Sequence, residues 1–257
     1  MEEKKLEGQI ERAVSLLRSA RHTIALTGAG SSTPSGVPDF RSPGTGLWEK
    51  ADPMEVASIY AFRRRPGAFY QWVRPLVDLM LSAQPNPSHL ALARLETEGR
   101  LKAVLTQNID SLHQRAGSQS VLELHGHLRK VTCLDCFHTA PAEEALNAVR
   151  EGRIPRCSVC QGVVKPNVVL FGEQLPSSVL NAAMEHVRMA DLMLVVGSSL
   201  TVMPVAKFPA LVHAGGGEVI VVNRQETYAD EFAAVVFQGD VSKVLPRLTQ
   251  ACLGQTS

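Results

Sequence analysis

Apolar residues recur at helical spacing near the start of the chain, where Leu6, Ile10, Ala13, Val14 and Leu17 share one face and predict an amphipathic helix. Thr23 to Thr27 then reads as a short buried strand that runs straight into Gly28-Ala29-Gly30. A second unit opens at Asn86-Pro87, an N-cap with proline at the first helical position. It continues through Leu90, Ala91 and Leu95 and stops at Gly99. Strand Lys102 to Leu105 follows and ends in Thr106-Gln107-Asn108; a third strand, Val121 to Leu124, ends at His125-Gly126. The same alternation returns as helix Ser177 to Met189, strand Leu192 to Val196, helix Val205 to Ala214 and strand Glu218 to Val222. Gly215-Gly216-Gly217 separates the last two. Strands alternating with helices predict an α/β fold with a parallel sheet covered on both faces, and such sheets bind ligands beyond the carboxyl ends of their strands. Those ends carry Gly28-Ala29-Gly30, Gln107-Asn108, His125, Gly197-Ser198-Ser199 and Asn223, a small polar set expected to converge on one cleft.

Two stretches interrupt the alternation, Ser42 to about Pro85 and His127 to about Pro166, and both read as excursions from the main sheet. The second contains Cys133-x2-Cys136, twenty intervening residues, and Cys157-x2-Cys160. Two thiolates three residues apart on a tight turn face one ion, and two such turns complete a tetrahedral four-sulfur zinc site. Four thiolates fill the coordination sphere, so the ion cannot ionise a water and is structural. His127 and His138 lie nearby but read as surface histidines.

Charge changes the picture little. A formal charge of +1 over 257 residues, with 45% hydrophobic and 20% charged positions, describes an ordinary globular chain. A dedicated nucleic-acid binder needs a basic surface to neutralise phosphates, so direct nucleic-acid binding is not expected. No apolar run approaches the roughly 18 residues of a membrane span, and the start of the chain has no signal-like apolar segment. Five cysteines, an odd count, suit a reducing compartment; a cytoplasmic location is the expectation.

A strand followed by Gly28-x-Gly30 begins a dinucleotide fingerprint, in which a helix N-terminus and bare backbone approach a pyrophosphate. Thr33 replaces the third glycine, and no Lys-Ser or Lys-Thr follows to make a P-loop. The continuation Gly-Ala-Gly-Ser-Ser-Thr-Pro-Ser-Gly-Val-Pro-Asp-Phe-Arg, Gly28 to Arg41, is more specific. Together with Thr106-Gln107-Asn108-Ile109-Asp110, His125-Gly126, the two cysteine pairs, Lys165-Pro166-Asn167-Val168-Val169-Leu170-Phe171-Gly172-Glu173, Gly197-Ser198-Ser199 and Asn223, it resembles the sirtuin family over nearly the whole chain.

The resemblance implies a Rossmann-like NAD-binding domain (1–41, 86–126 and 167–257) with an inserted small domain. That domain would comprise a cofactor-loop and helical module (42–85) and a zinc ribbon (127–166). It implies an NAD-dependent protein-lysine deacetylase with one structural zinc and acetylated proteins or peptides as partners. His125 would be the catalytic base, with Asp110 receiving the nicotinamide carboxamide and Asn108 ordering ribose and water. Gln107 would contact ribose, and Ile109 would stand beside it. Ala29, Ser32, Thr33, Asp39, Phe40 and Arg41 match the family's mobile cofactor loop, Phe40 shielding the ribose carbon and Arg41 reaching phosphate and ribose. Gly197, Ser198 and Ser199 would face phosphate, while Asn223, Asp240 and Val241 would border the adenosine.

For the protein substrate, Val169, Phe171 and Gly172 match the acyl-lysine tunnel and its edge, where the peptide binds as an added strand. In the implied reaction the acyl oxygen attacks the ribose carbon as nicotinamide leaves. His125 then takes a proton from a ribose hydroxyl, and the products are lysine and 2'-O-acetyl-ADP-ribose. A histidine's ordinary pKa near about 6.5 suits that task.

Two positions depart from the pattern. Ser31 stands where the family most often has an apolar residue. Tyr70 is present, but Val73 replaces the arginine that pairs with succinyl and malonyl carboxylates, and Arg74, one residue on, is turned by about 100 degrees on a helix. Acetyl and other neutral acyl groups are favoured. A mono-ADP-ribosyltransferase using the same ribose carbon remains open, as does a non-enzymatic zinc-ribbon binding module.

Overall fold

A computed structural model describes residues 2–39, 46–47 and 51–254. Its main sheet has six parallel strands in the order β3-β2-β1-β7-β8-β9: β1 (Thr23–Thr27), β2 (Ala103–Thr106), β3 (Val121–Glu123), β7 (Leu192–Val196), β8 (Glu218–Asn223) and β9 (Val235–Gln238). β1 is buried at all five positions, and its side chains alternate between two apolar layers. Ala25 joins Val104, Leu194 and Ile220 on one face; Ile24 and Leu26 join Leu105, Met193 and Val221 on the other. That division is the period of two in a strand that is covered on both sides.

Helices close the two faces. α1 (Glu2–Ser19) contributes Ala13, Val14 and Leu17 to the first layer, with Leu92 and Leu95 from α5 (Pro87–Thr97) and Leu245 and Leu248 from α10 (Val241–Leu253). α8 (Ser177–Met189) and α9 (Phe208–Ala214) bring Ala183, Val187, Phe208 and Val212 to the second. Each fully buried leucine contributes about 2 kcal/mol of apolar transfer. Asn86 caps α5 as the sequence predicts, its side chain accepting from Ser88 N.

The chain builds outward from β1 to β2 and β3 and then returns to β7 on the other side of β1. The crevice at the carboxyl ends of β1 and β7 is therefore a topological switch point, where doubly wound sheets bind ligands. Gly197 makes the crevice narrow. Its φ of 58° is left-handed, and a Cβ there would lie 2.3 Å from Ser31 N, so the turns after β1 and β7 touch backbone to backbone.

The excursions have structures of their own. Downstream of β1, α2 (Pro53–Val56), α3 (Ile59–Arg64) and α4 (Pro66–Ser82) follow one another with no strand between them, which is why the alternation stops there. Between β3 and α8 lies a three-stranded antiparallel sheet, β5-β4-β6, formed by β4 (Gly126–Cys133), β5 (Thr139–Pro141) and β6 (Val164–Val168), with α7 (Glu143–Arg150) in the connection. α6 (Leu112–Arg115) is a single turn after β2.

Some boundaries differ from the sequence reading. β2 extends to Thr106 because its register pairs Thr27 with Thr106, whose hydroxyls are 2.8 Å apart. The helix expected from Val205 begins as a 3-10 turn and becomes α-helical at Phe208, where Pro209 fits the first turn. No α-helix follows Gly30 directly. Two 3-10 turns, Ala29–Ser31 and Thr33–Ser35, take its place, broken by Gly36 at φ 83°.

Candidate active site and zinc centre

Gln107, at the end of β2, donates from Nε2 to Ser198 Oγ at 2.9 Å, a bond that joins the two sides of the switch point. Its backbone carbonyl lies 3.1 Å from His125 Nδ1. A carbonyl only accepts, so Nδ1 carries the proton and the basic lone pair of His125 is on Nε2. That is the tautomer a general base needs.

Asn108 Nδ2 lies 3.1 Å from Gly28 O, 3.1 Å from Ser31 Oγ and 3.0 Å from Ser32 Oγ, so its amide end is anchored to the turn after β1. The anchoring leaves Oδ1 as the acceptor of this side chain. Asp110 Oδ2 accepts from Ser32 Oγ at 2.7 Å and Oδ1 from Leu112 N at 2.9 Å, so the carboxylate is tied to the first residue of α6. Burial pushes its pKa above the usual carboxylate range against those two bonds.

Beneath this layer lie buried groups that sequence reading passed over. His89 Nδ1 accepts from Asn86 N at 3.3 Å, its Nε2 is 3.5 Å from Ser32 Oγ, and burial lowers its pKa to about 4. His113 packs edge-on against it with centroids 4.8 Å apart and bonds Thr27 Oγ1 at 2.9 Å. Both rings are therefore neutral. The available signal was His89 at the third helical position after Asn86-Pro87, where it completes a capping box.

The remaining predicted cofactor residues divide. Gly28 and Gly30 direct their N–H groups at Val196 O and Gly197 O, so they shape the turn. Thr33 bonds Gly30 O, and Ala29 lies in the same turn. Asp39 accepts from Leu47 N through its carbonyl. Ser199 is exposed and pairs with Thr201, whereas Ser198 is buried. Asn223 ends β8 and bonds Gln225 O. Asp240 caps α10 at Ser242 N and accepts from Arg224, and the Val241 side chain is in the core, so only its backbone is available to a ligand. Ile109 packs against the apolar cluster of α3 and α4. Phe40 and Arg41 lie outside the described residues.

The segment after β6 alternates: Val168 and Leu170 are buried, while Val169 and Phe171 stand half-buried on the opposite face. Val169 N donates to His125 O at 2.8 Å, and Phe171 pairs with Ser58 in a short parallel bridge. Lys165 secures the loop. Its ammonium bonds Pro166 O, Val168 O and Glu173 Oε2 at 3.0, 2.7 and 3.1 Å, and Glu173 also accepts from Leu170 N. Gly172 lies under the exposed ring of Tyr60. Tyr70 is buried and donates to Val164 O at 2.5 Å, Val73 stands three residues on, and Arg74 is exposed.

In the ribbon, Sγ atoms of Cys133, Cys136, Cys157 and Cys160 lie within 4.8 Å of one another, with pairs at 3.4 and 3.7 Å. Tetrahedral zinc with bonds of about 2.3 Å needs sulfurs roughly 3.8 Å apart, so the donor set fits. Backbone N–H groups of Asp135 and Val159 point at Cys133 and Cys157 Sγ, which favours thiolates. The four cysteines are positioned to hold one zinc ion.

Residues 28–204 match the Sir2 family model. The chain belongs to the Sir2 family. Among sirtuins it is 46% identical to "NAD-dependent protein deacylase 2" of Archaeoglobus fulgidus, over 95% of this chain and 96% of that one. A Sir2 histidine-to-alanine variant with a deacetylated p53 peptide and 3'-O-acetyl-ADP-ribose superimposes with a TM-score of 0.91 at 39% identity, covering 96% of this chain and 99% of that one. A Sir2 complex with a p53 peptide and NAD+ gives 0.87 at 38% identity, covering 94% and 98%. The Rossmann-like sheet and four-cysteine cluster expected of a sirtuin are both present. Among the described residues no helix is long and apolar enough to cross a membrane.

Proposed function

We propose that the switch-point cleft of this sirtuin performs NAD-dependent deacetylation of protein lysine side chains, with His125 as general base. The observation that carries this reading is the His125 Nδ1 contact to Gln107 O, which places the proton on Nδ1 and the basic lone pair on Nε2. Bound NAD supplies an electrophilic ribose carbon and the hydroxyl that takes the acyl group.

The chain's own residues then bind, orient and move one proton. Asn108 Oδ1 orders the ribose and a water, held by the anchored amide of the same side chain. Asp110 receives a carboxamide N–H, its carboxylate aimed by Ser32 and Leu112 N. Gly28, Gly30 and Gly197 bring the turns together so that Ala29, Ser32, Thr33 and Ser198 line a phosphate cradle by shape, with Ser199, Asn223 and the Val241 backbone toward the adenosine end. Asp39, Phe40 and Arg41 are assigned to the ribose in this reading, Phe40 and Arg41 on the sequence resemblance alone. His125 Nε2 accepts the hydroxyl proton, and the acyl-lysine stem passes Val169 and Phe171, with the peptide paired along Gly172.

The division into a Rossmann-like domain, a helical module at 42–85 and a zinc ribbon at 127–166 is part of this proposal, supported by the separate antiparallel sheet. So are a cytoplasmic location, supported by five unbridged cysteines, and partners that are acetylated proteins with no direct nucleic-acid contact. Incubation with NAD and a panel of acyl-lysine peptides, read by product mass, tests the function. O-acetyl-ADP-ribose and free lysine are expected; ADP-ribose attached to protein would point to transfer chemistry instead.

A further inference from the structure

β4 begins one residue after His125 and ends on the zinc ligand Cys133, and Arg129 sits midway along it. The Arg129 guanidinium grips Glu123 with both branches, Nη1 to Oε1 at 2.7 Å and Nη2 to Oε2 at 2.5 Å, and Nη1 also donates to Ser111 Oγ. Glu123 is the last residue of β3, two before His125. Ser111 directly follows Asp110 and has a φ of 61°, a left-handed conformation that a serine keeps only where its surroundings enforce it. One side chain of the ribbon thus holds both segments that present the predicted acid–base and carboxamide groups.

The charges fit the same picture. Asp110 bonds Ser32 from the turn after β1 and Leu112 N of α6, and feels the charge of Glu123 on β3; His89 of α5 lies beyond Ser32, His113 of α6 packs on His89, and Arg129 of β4 is paired with Glu123. Burial keeps His89 and His113 neutral, and it lowers His127 as well. Burial is the main cause that raises the Asp110 pKa, Glu123, only 11% exposed, adds to it, and the Arg129 guanidinium is paired with that Glu123 carboxylate.

We propose that Arg129 is a positioning residue of the cofactor site, fixing the Ser111 turn and pairing with Glu123 so that Asp110 is held in place. The proposal rests on the assignment of Asp110 to the NAD site, and the test separates the two. Arg129→Gln, Arg129→Lys and Glu123→Gln are made in the full chain, with zinc content and melting temperature checked. The Asp110 carboxyl is titrated by carbon NMR, and KM for NAD is measured beside kcat.

Glu123→Gln lowers the Asp110 midpoint and Arg129→Gln raises it. Arg129→Lys keeps the wild-type midpoint yet raises KM for NAD, because an ammonium cannot form the fork. Arg129→Gln raises that KM by about tenfold, the loss of one charge-assisted contact. Midpoints that move together, or not at all, overturn the proposal; should Arg129→Gln not fold, an unmoved midpoint in Glu123→Gln does so alone. Opposed midpoints with an unchanged KM uphold the hold on Asp110 and remove Asp110 from the NAD site.

Discussion

At the carboxyl edge of the parallel sheet, Ser32, Asn108, Asp110 and His125 bond one another and the nearby backbone, and the bonds to Asn108 Nδ2 and His125 Nδ1 make Asn108 Oδ1 and His125 Nε2 the accepting atoms of those side chains. In the ribbon, the four thiolates face one another and backbone N–H groups such as those of Asp135 and Val159. The first arrangement is open, with a carboxyl pushed above its ordinary range and a left-handed serine beside it. The second is closed, and its donors match one ion completely. Open polar sets support reactions, and closed ones hold structure.

Removing the ion breaks the comparison hardest. Cys133→Ser or a strong chelator forfeits on the order of 10 kcal/mol of metal-linked folding energy. The ribbon is expected to unfold while the sheet, with its own two apolar layers, keeps most of its circular dichroism. Activity falls because His125 leads directly into β4. A zinc-free, well-folded mutant with full activity would contradict the structural role.

Lys165→Met strands the Glu173 carboxylate and is expected to destabilise by about 3 kcal/mol, as for a mostly buried ion pair. Its kinetic signature is a higher KM for peptide with little change in KM for NAD. Equal changes in both would dissociate Lys165 from the peptide edge.

His89 tests the buried floor of the cleft. Its folded pKa, about 4, lies below the unfolded value, so its stabilising contribution is complete above about 6.5 and is lost as pH falls toward 4. His89→Gln should flatten that acid loss by about 3 kcal/mol in chemical denaturation. An unchanged pH slope would show that the ring is not held neutral. Asp110 has the opposite sign: its raised folded pKa favours stability at low pH, lost as pH rises through it, so Asp110→Asn should weaken that dependence.

The smallest expected effect is Tyr70→Phe. It removes one buried hydroxyl bond to Val164 O, about 1 kcal/mol, and should change deacetylation little. A variant that gained succinyl-lysine turnover would show the hydroxyl bond to be misread.

The strands and cysteines were legible because their signals are local: β1 is an apolar stretch between two threonines, β7 an unbroken apolar run, and each cysteine pair is four residues long. Helix α5 announced itself by its Asn86-Pro87 cap, and α8 as the next segment in the alternation of strands and helices. The floor of the cleft did not, since Thr27 and His113 are 86 positions apart and meet only once β1 and β2 pair. β9 was not read from the sequence, and α10 was read only at Asp240 and Val241 as residues bordering the adenosine; they are its helix cap and a core position. Gly28 and Gly30 were read as making room for pyrophosphate, yet the Gly197 turn is what presses against them.

The most direct test of an open catalytic cleft beside a closed zinc centre is His125→Ala, assayed next to wild type with NAD and an acetyl-lysine peptide and with zinc content measured in both. Deacetylation is expected to fall by about a thousandfold or more, with melting temperature and one zinc per chain unchanged. Undiminished deacetylation in the zinc-loaded variant would contradict it.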